Sequence, residues 1–376
     1  MPNGIRLQLY IGPLIPIPAP QTVIDSLTEV SVTTNDVGRS GFQLSFTLSN
    51  RSPLHTLFLL TGGSPINVLR VVIVVIFQGT PHVLMDGVVT NHQVLPGTDS
   101  QYSTLSITGE DLSVLMDKID FSGFPFPATP AEGRVALLIL KYAALGIIPL
   151  VIPSVLIDVP IPTSRIPSQQ STDLAYIKEL ADQVGYVFYI EPGPRPGSSI
   201  AYWGPQVKAG IPQPALNINM DAHTNVQSLN FTFDNNQNAI PTVYHYDETT
   251  KVILAVPIPP ITPLNPPLGL LAPIPTQLKP VRNDLSKYSL PRAIMMGLGT
   301  ASQWAEAVTG RGDLDVLRYG HILKARQLVG VRGAGPAFDG LYYVKSVTHK
   351  IKRGEYTQSF EVSRNGLLST VPRVPA

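Results

Sequence analysis

The chain of 376 residues contains no cysteine, which excludes a disulfide framework, a thiolate zinc site and a cysteine nucleophile. Packing and hydrogen bonds must hold the fold. Charge is also sparse, at 14% of residues against roughly 25% in ordinary globular domains. With 27 Lys and Arg against 26 Asp and Glu the net charge is +1, so no general affinity for nucleic acid or an anionic membrane is expected. No basic, apolar leader with a small-residue cleavage site opens the chain, which begins MPNGIRLQLYIGP, and assembly in the cytoplasm is the expectation.

Signatures of catalysis are missing too. The seven histidines include no i, i+4 pair, the spacing of a helical zinc site, and no Gly-x-Ser-x-Gly elbow occurs. The cluster GVRGAGPAFDG, from Gly330 to Gly340, leads into no Gly-Lys-Ser or Gly-Lys-Thr, so it reads as loops between strands and not as a phosphate cradle. Asp173, Glu179 and Glu191 could form a glycosidase pair, which depends on their separation in space. HYDE, from His245 to Glu248, reads as a polar strand end, and Arg311-Gly312-Asp313 as a polar turn after a helix. Asn230-Phe231-Thr232 fits a glycosylation pattern but lacks a secretory context. No catalytic, metal or cofactor site is expected.

What the chain has in quantity is apolar surface and proline, with 44% hydrophobic residues and 37 prolines. So apolar a chain, so poorly charged, is expected to hide much of its surface in an assembly. Val135 to Ile157, VALLILKYAALGIIPLVIPSVLI, carries only Lys141 and has the length of a membrane span. Its punctuation predicts otherwise: Thr129 as N-cap, Pro130 and Glu132 start a helix of about four turns, and Gly146, Pro149 and Pro153 end it. A buried helix followed by extended chain is expected, with no transmembrane segment.

Runs such as IRLQLYI, LTEVSVTTN, GFQLSFTLS and NVLRVVIVVIF, separated by Gly, Pro, Asn and Asp turns, predict a barrel or sandwich over the first hundred or so residues. Short helices are expected at Ser52–Leu60 and Glu110–Ile119. A middle region adds the capped helix above and STDLAYIKELADQVG, where Leu174, Ile177, Leu180, Ala181 and Val184 form one apolar stripe. YVFYIEPGPRPGSSIAYWG then reads as strand, turn, strand. Strands return at VQSLNFTFDNN, halt at a tract from Pro257 to Pro280 with nine prolines in 24 residues, and resume after a helix at TASQWAEAVTG closing at Gly310. The tract favours polyproline II, either as an arm docked on a partner or as a loop on its own domain. The domain reading is 1–112 for a first β domain, 113–213 for an α+β insert, and 214–376 for a second β domain interrupted at about 256–309.

The two β regions resemble each other. Asp86-Gly87 precedes VVTNHQVLPGTDSQYSTLSITG, and Asp339-Gly340 precedes LYYVKSVTHKIKRGEYTQSFEVSRNG. VLRVVIVVIFQG matches ARQLVGVRG in position, and LTEVSVTTN matches VQSLNFTFD. Two copies of a β-barrel with helical insertions is the economical reading. In the second copy a two-residue turn at Arg353-Gly354 pairs Lys352 with Glu355, Ile351 with Tyr356, His349 with Gln358, Val347 with Phe360 and Lys345 with Val362 on a mainly apolar face. Lys350 with Thr357, Thr348 with Ser359 and Ser346 with Glu361 make the other face polar. A sheet with one packed and one wet face follows, and His349 is expected to be a packing residue.

ITGEDLSVLMDK, STDLAYIKELADQVGYVFYIEPG, AYWGP and FDGLYYVKSVTHKIKRGEYTQSFEVSRNG resemble the late control D family, the baseplate hub proteins of contractile phage tails and phage-tail-like contractile injection systems. The likeness runs from about Leu27 to Leu367. It implies a mainly β fold with an α+β insert, two tube-like antiparallel β-barrels per chain, and a homotrimeric hub whose six barrels join a six-fold inner tube to a three-fold spike. The implied partners are the inner tube protein, the spike protein and other baseplate proteins, with no active site and no cofactor. Assembly in the bacterial cytoplasm into a phage-tail-like particle, extracellular or membrane-anchored, is implied as well. Related type VI secretion proteins carry a spike domain after the hub; with the sequence ending at Ala376, a separate spike is expected. Under this resemblance Lys350, Thr348, Ser346, Thr357, Ser359 and Glu361 are the lumen-facing candidates. The competing readings are a carbohydrate-binding or fibre-like β protein, which would expose aromatics on one sheet face although only Trp203 and Trp304 occur, and a cell-wall hydrolase delivered by such a particle.

Overall fold

The computed structural model describes all residues except 1–3, 14, 49–53, 55–57, 59–67, 97–102, 156–159, 161, 164–165, 235–238, 247–250, 260–264, 274–276, 282–288, 372–373 and 375–376. The fold is mainly antiparallel β with few helices. Its first part comprises β1 (Ile5–Gly12), β2 (Ile17–Pro18), α1 (Gln21–Ser26), β3 (Leu27–Asn35), β4 (Gly41–Leu48), β5 (Arg70–Phe77), β6 (Thr80–Leu95) and β7 (Ser103–Asp111). Side-chain alternation decides which way each strand faces. In β4, Phe42, Leu44, Phe46 and Leu48 are buried while Gln43 is exposed and Ser45 and Thr47 lie between.

An insert follows. Asp111 caps a 3-10 helix at Leu112–Asp117 by accepting from the Ser113 N–H. Then come α2 (Ala131–Leu140), β8 (Ile147–Val151), α3 (Asp173–Asp182), β9 (Val187–Pro192) and β10 (Ser199–Gly204), with the strands in the order β8-β10-β9. The α3 start is as expected, Thr172 accepting from the Ala175 N–H. At α2 the Thr129 hydroxyl instead donates to the Pro127 carbonyl, and Pro130 occupies the cap position. The helix is shorter than expected because a 3-10 turn at Ala143–Leu145 takes over and Gly146, at φ 75°, turns the chain into β8. The apolar run is thereby divided between helix and strand. No helix among the described residues is long and apolar enough to cross a membrane. Leu138, Ile139, Ile177, Leu180 and the fully buried Trp203 build this unit's core.

The last part comprises β11 (Gln213–Asn217), β12 (Val226–Phe233), β13 (Ala239–Tyr246), β14 (Ile253–Pro257), β15 (Gly269–Leu271), β16 (Gln277–Pro280), α4 (Leu290–Trp304), β17 (Val308–Asp315), α5 (Val316–Tyr319), β18 (Leu328–Arg332), β19 (Gly340–Lys352), β20 (Glu355–Arg364) and β21 (Leu367–Ser369). Two described stretches of the proline tract lie on their own chain: β16 runs parallel to β13, and β15 pairs β21. Val243, Ile258, Val281, Ala293 and Met296 pack α4 against this excursion. The helix expected to close at Gly310 ends at Trp304, and Gly310 is already inside β17. The helix expected at Ser52–Leu60 lies largely outside the described residues.

Strand order exposes the repeat. The first part runs β1-β5-β6-β7-β4-β3 and the last runs β11-β18-β19-β20-β17-β12, position for position. Irregularities coincide as well: β6 bulges between Val89 and Asn91, as β19 does between Val344 and Ser346. β3 bulges between Leu27 and Glu29, as β12 does between Val226 and Ser228. Even the flanking bond recurs, Val89 N–H to Leu69 O and Val344 N–H to Gln327 O, each 2.9 Å. A bulge adds one unpaired residue and fixes register, so Val89 is equivalent to Val344, His92 to Val347 and Val94 to His349. The alignment of Asp86-Gly87 with Asp339-Gly340 is thus two residues out, a slip that leaves every side chain on its original face. One difference remains: β1 is antiparallel to β5, whereas β11 is parallel to β18.

The expected pair of barrels needs correcting in one respect. Among the described residues neither six-stranded copy closes on itself by hydrogen bonding. β3, at the end of the first copy, pairs instead with β19 of the second, and the two copies form one 13-stranded sheet. A single apolar core runs through both, from Leu9, Phe46 and Ile107 to Val344, Tyr356 and Phe360. Gly109 shows how closely it is packed: a Cβ there would lie 2.3 Å from the Phe42 ring and 2.4 Å from the Val88 carbonyl oxygen. Gly109→Ala is expected to cost about 1–3 kcal/mol, read as a lowered denaturation midpoint with an unchanged slope.

Candidate functional site

The β19-β20 hairpin closes at Arg353-Gly354, with Gly354 at φ 86°. Its register pairs Lys352 with Glu355, Ile351 with Tyr356, Lys350 with Thr357, His349 with Gln358, Thr348 with Ser359, Val347 with Phe360 and Ser346 with Glu361. The expected pairing of Lys345 with Val362 does not occur. Lys345 is the bulge residue, and Val344 opposes Val362.

Neighbouring strands extend the same polar row. From β19 it passes through β3, where Thr348 and Lys350 oppose Thr33 and Ser31; through β4, where Ser31 opposes Gln43; through β7, where Gln43 and Ser45 oppose Thr108 and Ser106; and to β6, where these oppose Asn91 and Gln93. On the other side Thr357, Ser359 and Glu361 oppose Asp315, Asp313 and Arg311 of β17, and of these Asp313 and Arg311 oppose Ser228 and Asn230 of β12. The result is one hydroxyl- and amide-rich face across eight strands, from β12 to β6. Its members bond to one another: Thr33 and Thr348 hydroxyls at 2.9 Å, Gln43 Nε2 to Ser106 Oγ at 3.0 Å, and both Ser228 and Ser359 hydroxyls to the Asp313 carboxylate at 2.9 and 2.7 Å. Its charges include the Arg311–Glu361 pair at 2.9 Å and Lys352–Glu29 at 3.8 Å. Exposed pairs of this sort contribute little stability; they make a wet surface of mixed sign.

Of the six residues singled out for this face, Lys350 is exposed and Ser346, Thr348, Thr357, Ser359 and Glu361 are half-buried, while Val347 and Phe360 behind them are buried. The structure brings all six together on one row of two strands. Sequence reasoning missed the far larger part contributed by β3, β4, β7, β6, β17 and β12. Their alternation of Ser and Thr with apolar residues was the available signal.

His349 belongs to the packed side, 5% exposed. Gln358 Oε1 accepts from the Leu323 N–H at 2.9 Å, which leaves Nε2 as the donor, to the Leu323 carbonyl at 2.8 Å and to His349 Nδ1 at 3.2 Å. Nδ1 is therefore an acceptor, also within 2.8 Å of the Tyr356 hydroxyl, and the ring is neutral with its proton on Nε2. Burial accordingly pushes its pKa down to about 3.

The other groups weighed for chemistry are engaged structurally. Asp173 is buried and accepts from Lys141, Tyr142 and Gln169 at 3.1, 2.9 and 2.8 Å. Glu179 accepts from Gln183 at 3.1 Å, and Glu191 from Arg326 at 3.3 Å. Arg311-Gly312-Asp313 is no turn but the middle of β17, and a Cβ on Gly312 would lie 2.3 Å from the Ser228 carbonyl oxygen. Asn230-Phe231-Thr232 lies inside β12. The glycine-rich segment holds β18 and the loop to β19, where Asp339 accepts from the Ala334 N–H at 2.8 Å and Arg364 donates to the Asp339 and Ala337 carbonyls. HYDE lies partly outside the described residues, with His245 in β13. Among the described residues no group of three His, Cys, Asp or Glu is arranged to hold a metal ion.

A half-buried polar knot joins the insert to both copies. Glu306 binds Lys208 at 2.7 Å and the bulge residue Lys345 at 2.8 Å, while Asp36 accepts from Gln206 at 3.0 Å and its N–H donates to the Lys345 carbonyl. Burial pushes the Asp36 carboxyl up. For Glu306 burial acts in the same direction, but the two lysines outweigh it and hold the group below its usual value.

No family model matches the sequence, and no curated protein matches it. Solved structures do match. The tail protein from Neisseria meningitidis MC58 superposes with a TM-score of 0.64 at 11% identity, over 97% of this chain and 98% of that one. The 43 kDa tail protein of prophage MuSo2 from Shewanella oneidensis gives 0.59 at 13%, over 96% and 98%. An E. coli component of the type VI secretion system, itself structurally similar to bacteriophage T4 tail proteins, gives 0.50 at 11%, over 93% of this chain and 76% of that one. The chain has the fold of these tail proteins.

Proposed function

We propose that this chain is the structural hub of a contractile injection system's baseplate. Three copies would form a ring of six quasi-equivalent repeats that joins a hexameric inner tube to a trimeric spike, without catalysis. The single observation that carries the reading is the duplicated strand order within one chain. Two equivalent modules per subunit let a three-fold ring present six matching surfaces to one neighbour and three to another. The near full-length likeness to phage tail proteins is consistent with it. In such a ring the eight-strand polar face, including Lys350, Thr348, Ser346, Thr357, Ser359 and Glu361, lines the channel, and the apolar face packs outward. Assembly with tube, spike and other baseplate proteins would take place in the bacterial cytoplasm, before incorporation into the particle.

Native mass measurement tests this, with the purified chain alone and mixed with candidate inner tube and spike proteins from the same genome. A trimer that binds both is the expected result. A chain that stays monomeric and binds neither overturns the proposal.

A further inference from the structure

We infer that the outer edge of β6, Asn91–Leu95, pairs antiparallel with β12 of a second copy, in the register Asn91 to Asp234, His92 to Phe233, Gln93 to Thr232, Val94 to Phe231 and Leu95 to Asn230. This rests on the hub reading for the number of copies but specifies the joint independently. The template lies inside the chain. β19 changes partner along one edge: Gly340–Tyr343 pairs with β18, and after the bulge at Lys345 the segment Ser346–Lys352 pairs with β3. β6, its equivalent, pairs with β5 through Val88 and bulges at Thr90. Beyond the bulge, β7 lies on one side and, among the described residues, no strand lies on the other. All five residues Asn91–Leu95 are exposed, Val94 and Leu95 at 40% and 51%.

The matching half of the joint is vacant as well. β12 is the equivalent of β3, and among the described residues it pairs only with β17, ending the sheet. The edges carry few of the usual guards against pairing: NHQVL and VQSLNFTF contain no Asp, Glu, Lys, Arg or proline, and the one such charge in the joint is Asp234, at the end of the register opposite the Asn91 amide. Carrying the β19-β3 register across through the two bulge equivalences gives the pairs stated above. The chemistry agrees on both faces. Gln93 meets Thr232 where Thr348 bonds Thr33. Val94 meets Phe231, whose ring is already held against Phe338 and Tyr342 at 5.0 and 5.4 Å between centroids. Copies joined this way continue the polar face from one chain to the next without interruption.

Because the chain lacks cysteine, the joint can be read by cross-linking. The full-length double variant Gln93→Cys, Thr232→Cys is oxidised and run on a denaturing gel beside Gln93→Cys, Asn230→Cys, which is two residues out of register on the same face. The native mass of each sample is measured in parallel. Covalent dimers and trimers from the first pair, at least tenfold more abundant than from the second, are expected; β6 and β12 lie at opposite ends of the polar face, so links must form between chains. Trimers that yield no links, or that link through the shifted pair, overturn this joint and leave the hub reading standing. A monomer that links through neither overturns both. As a second measurement, Val94→Lys, at an exposed edge position, is expected to weaken self-association at least tenfold with an unchanged circular dichroism spectrum; unchanged association overturns the joint.

Discussion

Asp86→Ala is expected to destabilise the protein by about 3–5 kcal/mol, the usual cost of removing one partner from a buried ion pair. Asp86 and Arg70 are each 2% exposed and meet in a two-point fork, Nε to Oδ1 and Nη2 to Oδ2, both 2.7 Å. The same groups reach out of the sheet into the insert: Arg70 donates to the Gly197 carbonyl at 3.1 Å, and the Ser199 hydroxyl donates to Asp86 at 3.3 Å. Alanine would strand a buried guanidinium without its carboxylate and release the turn that leads into β10. Urea denaturation of the single variant should show the full loss. The double variant Arg70→Met, Asp86→Leu should recover most of it, because a buried pair replaced by apolar residues of similar volume is often neutral. A single-variant loss below about 1 kcal/mol, the scale of a surface pair, would show that the fork does not bear on stability.

That fork illustrates which parts of the molecule are legible in sequence. Alternation within a strand is local, so the β19-β20 register could be read from Lys352 back to Ser346. It failed at Lys345, because a bulge is set by what the strand must pair with next, here β18 and then β3. The repeat itself was legible through LTEVSVTTN and VQSLNFTFD, whose alignment the matching bulges reproduce residue for residue. The alignment anchored on Asp86-Gly87 and Asp339-Gly340 was misleading by two residues: the bulges match His92 to Val347. What could not be read was anything requiring the copies to meet. The β3-β19 pairing spans more than 300 residues, and the Glu306 knot draws one lysine from the insert and one from the bulge. Nothing near Glu306 in the chain announces either partner. Closure of each copy was expected because nothing local in β3 says which strand its free edge will meet, and that strand is β19 of the other copy.

Lowering the pH below about 6.5 is expected to destabilise the fold through His349, with a slope of about 1.4 kcal/mol per pH unit from this one group. The sign follows from where protons bind. In the unfolded chain the imidazole has its ordinary pKa of 6.5, and in the fold burial depresses it to about 3. Between those values the unfolded state holds one more proton than the folded state, so stability rises with pH across that window, is complete above it, and changes no further below it. By pH 4.5 the loss is on the order of 3 kcal/mol. Protonating Nδ1 would also turn it against the Gln358 amide donor that the Leu323 backbone fixes in place, and this is why the packed face resists it. Comparing urea midpoints of the wild type and His349→Gln at pH 7 and pH 4.5 isolates the effect. Glu306, depressed, also loses stability toward acid, whereas Asp36, raised, gains it, but both are common to the two proteins and drop out of the difference. The variant should start less stable at pH 7 and lose less on acidification. Parallel pH profiles for the two proteins would mean that the imidazole titrates in the fold near its ordinary value, and that the neutral ring deduced from the Gln358 bonds is wrong.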